Sequence, residues 1–294
     1  MVFKHILTNL RHRLDMRWFD YQNGRLGAAL RSARDIVIAL SQFLHRRSRK
    51  LIAVLDVRME QLIVAWICVT VLLGMVKVCI SPLPWTSAVD GVSMILPYLL
   101  IAIAPVAGYR VAAGSFPRGL LSAQPSVRLA RYGSWKQINL VAARQNPAFG
   151  PSGFMASLLV GILLNVPFRT FEFILAMPAV APTAPSWAHH LLLAMMIDVV
   201  VMNFFYMVCF VLALRSVPLF PRMLLFAWAA DLALQLIIAQ WAAIHADLPA
   251  TVGNALGSLL QGNIDKVLIS AVVWLPYLIL SERVNVTFRQ RIRV

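Results

Sequence analysis

Residues 61–80 read QLIVAWICVTVLLGMVKVCI, with one charged side chain, Lys77, in the whole stretch. A helix rises about 1.5 Å per residue, so twenty residues cover about 30 Å, the hydrocarbon thickness of a bilayer. A soluble fold has no need of such a run. Five more apolar stretches follow, at about 88–109, 154–178, 188–214, 219–245 and 264–281. All are continuous and rich in Leu, Ala, Met and Ile. Barrel strands would show alternating segments of about ten residues instead. Composition agrees: 60% of the 294 residues are hydrophobic and 13% are charged, against about 25% charged in an ordinary soluble domain. The chain reads as all-α, a polytopic membrane helix bundle with six transmembrane helices.

The basic residues set its orientation. Residues 1–60 carry twelve Lys and Arg, 110–151 carry six, 215–222 carry two and 282–294 carry four. The intervening segments, 81–87, 179–187 and 246–263, carry none. So 24 of the 27 basic residues fall in alternate segments. Lys and Arg are retained on the cytoplasmic side, which predicts both termini in the cytoplasm. Three parts result: a basic cytoplasmic or interfacial segment at 1–60, a six-span membrane domain at 61–281 and a basic cytoplasmic tail at 282–294.

Within the first part, Leu26, Leu30, Ala33, Val37, Leu40 and Leu44 form one helical stripe, followed by HRRSRK at 45–50. An amphipathic helix with a basic cluster suits an anionic leaflet. It equally suits docking on the protein's own membrane domain. The net charge of +15 is absorbed by the topology rule, and no nucleic-acid-binding module accompanies it, so no nucleic acid is expected. Cys68, Cys79 and Cys209 all lie inside spans without metal-site spacing. Residues 131–144, RYGSWKQINLVAAR with Ala130 before them, predict a short interfacial helix, with Tyr132 and Trp135 at headgroup level.

Four charges lie deep in the spans: Arg169, Glu172, Asp198 and Asp231. Counting residues from the span ends puts Asp198 about 15 Å and Asp231 about 18 Å deep, with Arg169 slightly past the midplane. A charge facing hydrocarbon is costly, by about 2.5 kcal/mol or more. These groups are therefore expected to turn inward and meet. Arg169 and Glu172 are three apart, so their side chains can touch on one helix face. Asn165 adds a polar group, and Gln235 shares the face of Asp231. One guanidinium cannot neutralise three carboxylates, which predicts that at least one of the acids carries a proton. Carboxyls so placed suit a proton relay or a cation path; polar side chains also stitch helices together without conducting anything. The flanks MIDVV and AADLA lack the YD and GxGD patterns of intramembrane aspartyl proteases.

A second group lies at the opposite membrane face: His189 and His190 open the fourth span, and His245 and Asp247 close the fifth. Histidines so placed suit a metal or a pH switch. Interfacial histidines without a ligand are commoner, and no metal or other cofactor is expected. No P-loop, nucleophile elbow or zinc-protease motif occurs, which favours a non-enzyme. Residues 254–263, NALGSLLQGN, predict an outer loop.

The end of the chain, VVWLPYLILSERVNVTF at 272–288, carries a W-x-P-Y element followed by S-x-R-V-x-x-T-F. Trp274, Pro276, Tyr277, Ser281, Arg283, Val284, Thr287 and Phe288 resemble the close of the YdgK-like family of small four-span bacterial inner-membrane proteins. The resemblance implies a bacterial inner membrane and no particular activity. Two functions fit the sequence. One is transport or permeation through the intramembrane polar cluster. The other is an accessory or scaffold role, with membrane-protein partners docking on the cytoplasmic segments.

Overall fold

The computed structural model describes residues 47–48, 50–55, 57–81, 87–117, 124–125, 133–244 and 248–294. Among them are six helices long and apolar enough to cross a membrane: α1 (Val57–Cys79), α2 (Ala88–Ser115), α4 (Phe154–Ala176), α5 (Ser186–Leu214), α6 (Phe220–Ile244) and α7 (Ala250–Leu280). Short elements lie between and after them: β1 (Trp135–Gln137), α3 (Leu140–Gln145), α8 (Glu282–Arg289) and β2 (Arg291–Arg293). The all-α polytopic bundle is as expected. The stripe at 26–44 lies outside the described residues.

The most buried of the six helices, α5, packs against α2, α4 and α6. Local chemistry starts α2, where Ser87 and Asp90 exchange hydrogen bonds in a capping box. Its approach to α5 depends on Gly108: a Cβ there would lie 2.5 Å from the Phe204 carbonyl oxygen. Trp66 Nε1 donates to the Ala102 carbonyl at 3.0 Å and ties α1 to α2. Two apolar clusters result. One includes Met155, Val166, Met202, Trp228 and Phe288 and lies toward the end that carries the basic segments. The other includes Phe173, Met195, Val199, Ile238 and Leu256 and lies toward the opposite end. The polar residues of α4, α5 and α6 fall between the two clusters.

Helix α7 differs from expectation. It begins at Ala250, so residues 254–263 are helix and not an outer loop. Asn254, Ser258, Gln261 and Asn263 dilute the hydropathy of this stretch but do not oppose helix. At 31 residues α7 is about 46 Å long, well beyond the hydrocarbon thickness. It packs chiefly on α6 and α8 and is the least buried of the six.

The basic end is built, not trailing. The predicted interfacial helix is instead strand β1, paired antiparallel with β2 from the chain terminus, followed by α3. Tyr132 lies outside the described residues. Arg291 sits over the Trp135 ring at 5.0 Å, and Phe220 and Phe288 rings lie 5.0 Å apart. Phe154 of α4 meets Trp274 and Tyr277 of α7, both at 5.0 Å. Asn285 organises the turn from α7 into α8. Its amide donates to the Ile279 and Ser281 carbonyls at 3.1 and 2.9 Å, and its oxygen accepts from Arg289 and Arg291 at 2.9 and 2.8 Å. Burial lowers the Arg289 guanidinium to about 10, with repulsion from Arg291 adding to the effect. Removing this buried side chain leaves its four partners, two of them buried, unmet, at about 1–3 kcal/mol each where water cannot enter. Asn285→Ala is therefore expected to lower the thermal midpoint of the detergent-solubilised protein by several degrees, while Asn285→Asp, which keeps the acceptor beside two guanidiniums, costs less.

Candidate functional site

The reason for a charged residue in NVPFRTFEF, 165–173, lies on the neighbouring helices. Arg169 of α4 is buried and donates from Nη1 to Asp231 Oδ2 and from Nη2 to Asp231 Oδ1, both at 2.7 Å. The same Nη2 reaches the two oxygens of Asp198 on α5 at 2.9 and 3.0 Å. One guanidinium thus holds carboxylates from two other helices, the planar fork meeting Asp231 bidentately. Tyr206 of α5 donates its hydroxyl to Asp231 Oδ2 at 2.7 Å. Gln235, one turn beyond Asp231 on α6, donates to Asp198 Oδ1 at 3.0 Å and Asp231 Oδ1 at 3.5 Å. Asn263 of α7 reaches Gln235 Oε1 at 3.4 Å. Four helices therefore contribute to one connected network.

This network sits at mid-depth. Along α5, Asp198 is about 18 Å from Ser186 and about 24 Å from Leu214. Beside it lies a second ionic contact, between Lys266 of α7 and Glu172 of α4. This pair is half open, with side-chain exposures of 57% and 42%. The two sets border a cavity of about 460 Å³ between α4, α6 and α7. Leu158, Ile162, Val267 and Trp274 form the apolar part of its wall, and Arg169, Glu172, Asp231, Asn263, Lys266 and Ser270 the polar part. Among the described residues the buried Arg169 Nε–H has no acceptor.

Of the residues expected to gather, Arg169, Asp198, Asp231 and Gln235 do. Glu172 does not pair with Arg169, which is taken by the two aspartates; it reaches across the cavity to Lys266, whose Nζ also lies 3.4 Å from Asn263 Oδ1 and so links Glu172 to the edge of the network. Lys266, within the sixth apolar stretch, is that partner. Asn165 is half-buried and lines the cavity. Tyr206 and Asn263 were not singled out by sequence. Tyr206 stands two turns along α5 from Asp198, a spacing that a search for polar groups on one face would have found. Asn263 was lost with the misread loop.

The histidine group is only partly described. His189 Nδ1 lies 3.3 Å from the Pro185 carbonyl oxygen. His190 meets the Trp241 ring edge-on at 6.4 Å. His245 and Asp247 lie outside the described residues. Among those described, no group of three or more His, Cys, Asp or Glu side chains is placed to hold a metal.

Fold and composition define an integral, multi-pass α-helical membrane protein with a buried ionic network at its centre. Comparison with protein-family models, curated proteins and solved structures finds no match to the chain.

Proposed function

We propose that the chain moves protons, small cations or a solute coupled to them across a bacterial inner membrane through this polar centre. The observation that supports it most is charge imbalance beside open space. Arg169 is shared by two buried carboxylates, and the network borders a cavity of about 460 Å³. Two carboxylates and one guanidinium leave one negative charge for a mobile cation to balance. Such an excess at mid-depth is costly unless something exchanges there. The half-open Lys266–Glu172 pair supports the same reading, because an ion pair so exposed at that depth needs a polar occupant in the cavity.

The test is ion flux in proteoliposomes enclosing a pH-sensitive dye. An imposed pH gradient should collapse faster with the wild-type protein than in empty vesicles. Asp198→Asn and Asp231→Asn, reconstituted at equal folded amounts, should lose that difference. Undiminished flux in both variants, or no flux in the wild type, would remove the proposal.

The basic end is proposed to face the cytoplasm, against anionic headgroups. A fluorescent protein fused after Val294 should then mature and glow, and an alkaline phosphatase fused there should stay inactive. The opposite pair of results would invert the orientation.

A further inference from the structure

The cavity beside the polar centre opens sideways, between α4 and α7. Helix α4 packs on α5, and α7 on α6 and α8; α4 and α7 share no comparable contact. Side chains bridge them at two levels. Lys266 meets Glu172 at mid-depth, and Trp274 and Tyr277 meet Phe154 at the basic end. Phe154 and Glu172 are eighteen residues apart, about 27 Å along α4. The window between the two bridges therefore lies mostly in the leaflet on the basic side. On its α4 edge Gly161, Leu164 and Phe168 are exposed, and within a span such exposure is to lipid. A solute dissolved in that leaflet reaches the cavity without crossing the bundle.

Size, wall and charge together select the solute. A volume of about 460 Å³ falls among pockets for drug-sized molecules, about 300–1,000 Å³. Toward the basic end the wall is apolar, from Leu158, Ile162, Val267 and Trp274. A hydrated inorganic ion would leave that surface facing water. At the polar end Arg169 and Lys266 offset Asp231 and Glu172. Asp198 is bonded to Arg169 without lining the cavity, and leaves the whole with one negative charge. An anion is repelled there, and a neutral lipid tail leaves the charge unbalanced. The Arg169 Nε–H that lacks an acceptor belongs to a guanidinium already counted, so it does not turn the site toward anions. Trp228 and Trp274 line the same cavity, and indole is the strongest aromatic partner for an organic cation.

We propose that the cavity binds a monovalent lipophilic cation, one positive centre on an apolar body, taken from the bilayer through the window between α4 and α7. The positive centre lies beside Asp231 and Glu172, and the body lies against the apolar wall. This deepens the reading of the polar centre as an exchange site and rests on the same uncompensated charge.

Tetraphenylphosphonium and tetraphenylborate have nearly one shape and opposite charges. Equilibrium dialysis against the full chain in nanodiscs, with empty nanodiscs subtracted, should show saturable binding of the cation, one per chain, and none of the anion. Exchanging N-methylglucamine for potassium at constant ionic strength should leave the cation bound. Asp198→Asn should weaken binding about tenfold or more, because the charge goes while the wall stays. A Cβ at Gly161 meets nothing within 4 Å, so Gly161→Trp starts in open space and fills the cavity with the network untouched. It should abolish binding without lowering the thermal midpoint. Equal binding of the two ions, displacement by potassium, or wild-type binding by Gly161→Trp overturns the proposal. A wild type that conducts protons yet holds no tetraphenylphosphonium overturns it alone. Saturable binding of the cation without proton flux removes the conduction and keeps the site.

Discussion

Arg169→Gln is expected to remove most of the folded protein from the membrane. Asp198 and Asp231 are essentially inaccessible to solvent, and both take their shortest ionic contacts from this one guanidinium. Deleting one partner of a buried pair costs about 3–5 kcal/mol, because the remaining charge is left unpaired. Here two carboxylates are left at once, on two helices that the guanidinium joins to a third. Glutamine offers one amide in place of a forked cation. Lysine at the same position should rescue only in part: its point charge cannot meet Asp231 bidentately while reaching Asp198. Immunoblotting of membranes and the thermal midpoint in mild detergent measure the effect. Normal levels of Arg169→Gln with an unchanged midpoint would contradict the geometry.

Loss of conduction with the fold retained is expected for Asp198→Asn. The amide keeps the shape of the carboxyl, and Arg169 still has Asp231 to pair with at 2.7 Å. That variant leaves one cation against one anion, so the imbalance proposed to hold a mobile cation is gone. Asp231→Asn removes the same charge but is the more disruptive change. Asp231 accepts from both Arg169 nitrogens, from Tyr206 and more weakly from Gln235. An asparagine turns one acceptor into a donor facing Arg169. The thermal midpoint should therefore fall further for Asp231→Asn, while dye-reported flux falls to the level of empty vesicles in both. Tyr206→Phe separates the two effects, since it removes a hydrogen bond from a neutral hydroxyl to the Asp231 carboxylate, worth about 1.5–3 kcal/mol, and leaves every charge in place. Its flux should persist.

The span pattern was legible because crossing hydrocarbon demands about twenty apolar residues, and five of the six stretches stood out on that ground. The sixth was cut short. Asn254, Ser258, Gln261 and Asn263 resemble loop composition, yet the local backbone is helical from Ala250. Hydropathy averages over all faces of a helix, and the first half of α7 carries exposed polar side chains that lower it without interrupting the helix. The gathering of Arg169, Asp198 and Asp231 followed from depth alone, since buried charges on adjacent helices at one level have few partners but each other. Glu172 shows the limit of spacing on a single helix. A three-residue separation permits contact with Arg169 but cannot weigh it against two aspartates on other helices. Strands β1 and β2 left no signal, being three residues each and paired across more than 150 positions of sequence.

Whether one guanidinium and two carboxyls form a single unit is tested most directly by neutralising all three at once. Arg169→Gln, Asp198→Asn and Asp231→Asn combined leave amides able to hydrogen-bond one another, with no charge to bury. The thermal midpoint of this triple variant should recover at least about half of what Arg169→Gln loses alone, because contacting residues do not contribute additively. If the three losses simply add, the side chains act independently and the proposed centre does not exist.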